Sequence, residues 1–217
     1  MAFRTFCCAL LCLVISIPVL AADDNAEAWA ALREGRAVLM MRHALAPGMG
    51  DPVRFELGDC STQRNLNDEG RAQARSWKPF LAGHGIHEAR VYSSQWCRCM
   101  DTATEMNVGD VTAWPPLNSF FQNRSEGPRQ TRGIIEGVNE MGEGAPIILV
   151  SHQVNTTALT GVYPASNEGV IIGWSMVALT QPGTSGSPSP STSPWTSSLT
   201  AWPSLWPDTT TIFCSRS

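Results

Sequence analysis

Two unbroken apolar runs, Ala37-Val38-Leu39-Met40 and Pro146-Ile147-Ile148-Leu149-Val150, constrain this chain more than any other feature. Neither alternates between apolar and polar residues, so both faces of each strand must be covered, as in a parallel sheet flanked by helices. A shorter strand, Ala89-Arg90-Val91-Tyr92, lies between them. Helical segments are predicted at about 25–33 and, capped by Asn67, from Asp68 to near Leu81, where Trp77, Phe80 and Leu81 form an apolar face and Pro79 bends the helix. Parallel neighbours require such crossovers. The expected class is therefore α/β, a three-layer αβα sandwich around a mostly parallel central sheet. With 217 residues, 43% apolar content and no internal repeat, the chain suffices for one core of ordinary size.

Each of the three strands runs into residues that carry chemistry. Met41-Arg42-His43-Ala44 follows the first. Ser93-Ser94-Gln95-Trp96-Cys97-Arg98 follows the second, with Ser93 or Ser94 expected to cap a helix whose first turn holds Arg98. Ser151-His152-Gln153 follows the third, before a helix that Asn155 is expected to cap and Gly161 to stop. An Arg-His pair alone can be a solvated loop. Parallel strands, however, would bring Arg42, His43, Arg98 and His152 to one sheet edge, where ligand sites of open α/β sheets gather. Two guanidiniums offer forked donors to phosphoryl oxygens and stay charged at any physiological pH. One neutral imidazole can attack phosphorus while the second donates to an equatorial oxygen. The attacking ring must keep its proton on the nitrogen facing away from phosphorus, which calls for a backbone carbonyl acceptor there.

These residues resemble the signature of the histidine phosphatase superfamily. The matching segments are Leu39-Met40-Met41-Arg42-His43-Ala44, Ser93-Ser94-Gln95-Trp96-Cys97-Arg98, and Leu149-Val150-Ser151-His152. Between the first two, Cys60-Ser61-Thr62-Gln63-Arg64-Asn65-Leu66-Asn67-Asp68-Glu69-Gly70-Arg71-Ala72-Gln73-Ala74 looks like the family's Leu-x-x-x-Gly-x-x-Gln-Ala segment, and the likeness spans about residues 35 to 173. The resemblance implies a phosphoglycerate mutase-like fold, His43 as nucleophile, and Arg42, Arg98 and His152 as the remaining phosphate pocket. It implies no metal or other cofactor. Gln153 departs from the acid phosphatase and phytase branch, which has an aspartate after this histidine. The mutase-like glutamate of a Leu-Asn-Glu context is replaced in Leu117-Asn118-Ser119. Glu126 is the expected general acid in its place, with Glu168 as the alternative. The implied activity is phosphomonoester hydrolysis, with a phosphate-binding or degenerate protein, or a phosphomutase, as the other readings.

The first residues read differently from the rest. Arg4, an apolar stretch from Phe6 to Leu20, and small residues before Asp23-Asp24 have the layout of a cleaved secretory signal over 1–22. The expectation is export to the periplasm or beyond, with no stable membrane anchor after cleavage. Loss of residues 1–22, whose only charged side chain is Arg4, takes the net charge from −4 to −5. An acidic chain without a basic cluster is a poor partner for nucleic acid. The expected partner is a small phosphorylated substrate, with an envelope sugar phosphate among the candidates.

Of the seven cysteines, Cys60, Cys97, Cys99 and Cys214 remain after cleavage, in a compartment that favours oxidation. A bridge from Cys60 to Cys97 or Cys99 would steady the Arg98 helix, whereas Cys-x-Cys without a second pair is a weak zinc signal. His84 and His87 read as solvated. Residues 45–60 and 113–132, the latter with Phe120, Phe121, Arg124 and Arg129, read as loops shaping substrate access or as ordinary crossovers. Gly169 to Thr180 reads as a final strand, which makes 23–180 the domain. Residues 181–217, rich in Ser, Thr and Pro, read as a disordered or out-of-frame tail.

Overall fold

The computed structural model describes residues 25–142, 144–173 and 209–212. The expected signal segment 1–22, the far part of the last expected strand and most of the 181–217 tail lie outside the described residues.

The apolar runs become the interior of one sheet. Its strands are β1 (Ala37–Arg42), β2 (Arg90–Ser93), β3 (Val111–Ala113), β4 (Ile147–Ser151), β5 (Gly169–Gly173) and β6 (Thr209–Ile212). They stand in the order β3-β2-β4-β1-β5-β6. The first four in that order are mutually parallel, β5 is antiparallel to β1, and β6 is antiparallel to β5. Strand β6 corrects the expectation of a tail without regular structure, at least over 209–212. Its run of Thr-Thr-Thr-Ile is β-branched and completes the open hydrogen-bonding edge of β5.

Alternate residues of each strand feed two separate cores, which makes the three layers. Leu39, Met41, Val91, Ile148 and Val150 face helices α1 (Ala26–Arg33), α2 (Asp68–Gly83) and α3 (Cys97–Met106). Trp29, Leu32, Trp77, Leu81 and Met106 supply the helical side of that layer. Val38, Met40, Ile147, Leu149 and Val170 face α4 (Gly127–Met141) and α5 (Gln153–Thr160) through Ile134, Val138 and Leu159. Complete burial of each such side chain contributes about 1.5–3 kcal/mol, which is why these runs carry no polar residue. Among the described residues, no helix is long and apolar enough to cross a membrane.

Helix ends differ from expectation in two places. Helix α3 starts at Cys97, with Trp96 at its cap position, so neither Ser93 nor Ser94 caps it directly. The side chain of Gln63, from a distant loop, accepts from the Cys97 N–H at 3.0 Å instead. Helix α5 starts at Gln153, and Asn155 lies inside it, buried and bonded to the Asn118 carbonyl at 2.9 Å. In both cases a tertiary acceptor or packing demand overrides the local cap. Asn67 does cap α2, accepting from the Gly70 N–H at 2.8 Å, and Gly161 ends α5 in the left-handed conformation. Pro79 sits inside α2.

Helix α2 fastens the segment that follows His43. Leu45 donates its N–H to the Gln73 side chain at 3.0 Å, and its carbonyl accepts from the Asn67 N–H at 3.4 Å. The backbone of Leu45 presses so close to Gly70 that a Cβ there would meet the carbonyl oxygen at 2.1 Å. Gly70→Ala should therefore destabilise the protein by about 1–3 kcal/mol through overpacking, the reverse of the usual gain from Ala in a helix. Urea denaturation checks this, with Gly83→Ala, whose Cβ meets nothing within 4 Å, as the control expected to be neutral or mildly stabilising.

Candidate active site

A cavity of about 290 Å³ opens at the carboxyl edge of β1, β4 and β2, and Arg42, His43, Arg98 and His152 all line it. The parallel register explains the meeting. Arg42 stands opposite Ser151, so the loops leaving β1 and β4 run side by side, and the His43 N–H donates to the Ser151 carbonyl at 2.9 Å. Likewise Ser94 leaves β2 beside β4, donating its N–H to the Val150 carbonyl at 2.9 Å, and α3 then delivers Arg98 in its first turn. The two imidazoles face each other edge to face, with centroids 5.5 Å apart.

His43 is held as a neutral ring whose Nε2 carries no proton. Its Nδ1 lies 2.7 Å from the Ala44 carbonyl oxygen, which can only accept, so Nδ1 carries the proton. Its Nε2 accepts from Arg98 Nε at 3.2 Å. Burial, followed by the charge of Arg98, drives the pKa well below the histidine reference of 6.5. The lone pair on Nε2 is therefore unprotonated at the cationic cavity, where a phosphoryl group can replace Arg98 Nε as its partner.

His152 is equally buried, and its partners assign its proton as well. Arg98 Nη2 donates to Nδ1 at 3.4 Å, and Nε2 lies 2.8 Å from Ser94 Oγ, which continues to the Asn118 side chain at 3.3 Å. Burial and then Arg98 lower its pKa well below 6.5. Cys99 Sγ sits 3.5 Å from Nε2, and burial pushes that thiol up to about 12, so it remains protonated and unreactive.

Sequence reasoning missed two charged residues here. Arg64 lines the cavity with Arg42 and Arg98. Burial lowers the pKa of both Arg42 and Arg64, and repulsion from Arg98 acts in the same direction. An anion between the three guanidiniums relieves that repulsion. Arg42 holds the Pro164 carbonyl through Nη1 at 3.1 Å, while its buried Nε has no partner. Arg64 binds the carbonyls of Gly50, at 2.7 Å, and Ala46. The second missed residue, Asp51, pairs with Arg98 at 2.7 Å. Both lie in irregular segments, where no periodicity marks them; the signal for Asp51 is its place in the 45–60 loop, and Arg64 stands just before the helix that Asn67 caps.

The expected acid, Glu126, does not line the cavity, and this corrects its assignment. It sits in a 3₁₀ turn at the start of α4 and pairs with Arg129 at 2.5 Å in a solvent-exposed contact. Helix α4 begins one residue later, with Pro128 in its first turn, and carries the carboxylate away from the pocket. Glu168 does not line the cavity either; its carboxylate accepts from the Ala165 N–H at 2.7 Å. Ser119 lines the cavity, next to the Asn118 that ties Ser94 and Gln95 down. Among the described residues lining the cavity, Asp51 is the one carboxylate. No group of three or more His, Cys, Asp or Glu among the described residues could hold a metal ion.

Cys60 bridges Cys97, resolving the open choice of partner, and Cys99 stays reduced. The bridge joins the turn before Gln63 to the first residue of α3, so the cap on Cys97 and the covalent link act on one point.

Residues 38–132 match the family model for the histidine phosphatase superfamily (branch 1). That match covers the segment carrying Arg42, His43 and Arg98, and the α/β architecture with its mostly parallel sheet is the one expected from the sequence. The match ends before β4; His152 joins the site through the sheet. A mycobacterial glucosyl-3-phosphoglycerate phosphatase is similar in structure at 16% identity and a TM-score of 0.49, over 64% of this chain and 92% of that one. A phosphoserine phosphatase of Entamoeba histolytica is similar at 11% identity and a TM-score of 0.47, over 62% and 89%. SixA of Agrobacterium tumefaciens is similar at 17% identity and a TM-score of 0.45, over 65% and 92%. No curated protein matches the sequence.

Two expectations follow from the geometry. The unfolded chain takes up protons at His43 and His152 near 6.5, whereas the folded one resists to lower pH. The stability these neutral rings allow is thus complete above 6.5 and declines as pH falls below it; urea midpoints across pH 7.5 to about 5 should fall accordingly. Cys60→Ser should remove about 3–4 kcal/mol by freeing a loop of sequence separation 37 in the unfolded state. Comparison of urea denaturation for the variant and the oxidised parent measures it.

Proposed function

We propose that this protein is a phosphomonoester hydrolase that works through a phosphohistidine on His43 and needs no metal. The observation that carries the reading is the state of His43: Nδ1 tied to the Ala44 carbonyl at 2.7 Å, and Nε2 unprotonated toward three guanidiniums. The Nε2 lone pair attacks phosphorus as the bond from phosphorus to the ester oxygen breaks. Arg42, Arg64 and Arg98 take the charge of the non-bridging oxygens. The dianion among them raises the proton affinity of His152, which then donates toward an equatorial oxygen. Water next attacks phosphorus, the bond to Nε2 breaks, and inorganic phosphate leaves while Nδ1 keeps its proton.

No cavity carboxylic acid stands ready for the ester oxygen in this reading, so that oxygen takes its proton from solvent. Good leaving groups are favoured as a consequence. The mouth offers Met49, Phe55, Phe121 and Tyr163 with Gln122 and Asn123, a mix suited to a small phosphorylated molecule with an apolar face and hydroxyls, such as a sugar phosphate. A mutase is disfavoured because Ser119 and Arg129-bound Glu126 leave no acid for returning the phosphoryl group. Action in the periplasm is supported by the expected signal over 1–22 and by the Cys60–Cys97 bridge, which a reducing cytoplasm would not maintain.

Turnover of p-nitrophenyl phosphate by the purified chain tests the reading. His43→Ala should abolish both turnover and acid-labile phosphoryl labelling, and wild-type rates in that variant would overturn it. Arg98→Ala should lower kcat by about 10²–10³, the usual cost of losing one donor to a developing oxyanion. Folded protein that binds inorganic phosphate without turning over any phosphomonoester would favour a binding role instead.

A further inference from the structure

We propose that Asp51 is a positioning residue for this reaction: its carboxylate grips one edge of the Arg98 guanidinium so that the other edge faces the two histidines and the phosphoryl group between them. The proposal rests on the phosphatase reading above and assigns the task of a residue that reading leaves unused.

Arg98 has five N–H groups, and all are engaged. Nη1 donates to Asp51 Oδ1 at 2.7 Å and to the Arg64 carbonyl at 3.4 Å. Nη2 donates to Asp51 Oδ2 at 3.1 Å and to His152 Nδ1 at 3.4 Å, and Nε donates to His43 Nε2 at 3.2 Å. One edge of the fork is thus filled by a carboxylate and the other by two neutral imidazoles. A phosphoryl group that inserts next to His43 exchanges only the bonds on the imidazole edge. The bidentate pair with Asp51 persists and fixes the plane in which Arg98 meets its oxygens.

Asp51 is itself fully occupied, which separates this task from proton donation. Oδ1 accepts from Arg98 Nη1 and from the Arg64 N–H at 3.3 Å; Oδ2 accepts from Arg98 Nη2 and from Trp96 Nε1 at 3.1 Å. An ionised carboxylate has about four acceptor sites, and a proton would displace one of these donors. Burial pushes the Asp51 carboxyl up, but Arg98 outweighs it and holds it below the usual carboxylate range. Arg64 in turn binds the Gly50 and Ala46 carbonyls, so the loop carrying Asp51 is anchored from inside the cavity. Without the carboxylate, Arg98 would face Arg42 and Arg64 with no counter-charge. Asn at this position would aim an NH₂ donor at a guanidinium that has nothing to accept with.

The test uses the full chain with p-nitrophenyl phosphate and phenyl phosphate, whose leaving groups differ in basicity. Asp51→Asn should lower kcat by about 100-fold, as expected when a reacting group is misplaced by about 1 Å. The loss should be equal for the two substrates, with KM little changed. Asp51→Glu, which keeps the charge one methylene further out, should recover part of it. A second readout is the ¹⁵N–¹H correlation of Arg98 Nε, assigned by its absence in Arg98→Lys. It should be sharp in the parent with and without inorganic phosphate and broadened in Asp51→Asn. Unchanged rates, a loss confined to phenyl phosphate (the signature of a proton donor), or an undisturbed Arg98 resonance would each overturn the proposal. If the parent chain turns over neither substrate, the phosphatase reading fails, and the Arg98 resonance still decides the role of Asp51.

Discussion

The parallel ladder between β1 and β4 sets Arg42 opposite Ser151, and the site depends on that register. A shift by one residue would turn every side chain of the strand to the opposite core and send His43 away from His152. The register is secure because the strands are apolar on both faces and alternate residues are committed to different helical layers. Stability and chemistry therefore share one cause: the packing that excludes water from Met40 and Leu149 is what aligns two histidine loops at the sheet edge.

On that frame, charge is arranged in rings around Arg98. Two neutral imidazoles accept from one edge of its guanidinium and Asp51 from the other. A buried ion pair gains little net stability, since desolvation offsets most of the attraction, yet it costs heavily when one partner is lost. Its value here is orientation. The same burial that lowers the proton affinity of His43 leaves a nucleophile ready at neutral pH, and the surplus of guanidinium charge awaits an anion.

Several elements converge to keep this arrangement in place. Gly70 and Gln73 of α2 clasp Leu45, two residues after His43, which accounts physically for the Gly-x-x-Gln spacing noted in the sequence. Gln63 and the Cys60–Cys97 bridge secure the start of α3, one residue before Arg98. Asn118 ties down Ser94 and Gln95 between β2 and α3. Gln63 and Asn118 reach the site from loops distant in sequence, so local cap rules, which favour Ser93 or Ser94 and Asn155, do not find them.

The linear order of residues determined the class of fold and the membership of the central cluster. Unbroken apolar runs admit few environments, and the residues at their carboxyl ends must share an edge once the strands are parallel. That is why Arg42, His43, Arg98 and His152 were legible without coordinates. Only the tertiary structure decided which carboxylate belongs to the cavity, excluding Glu126, which α4 carries to the surface, and admitting Asp51. It also selected Cys97 over Cys99 and drew Thr209–Ile212 onto the sheet. Loop residues carry no periodicity, and their place is set by which buried donor or open edge they can satisfy, a quantity that exists only after the chain has closed on itself.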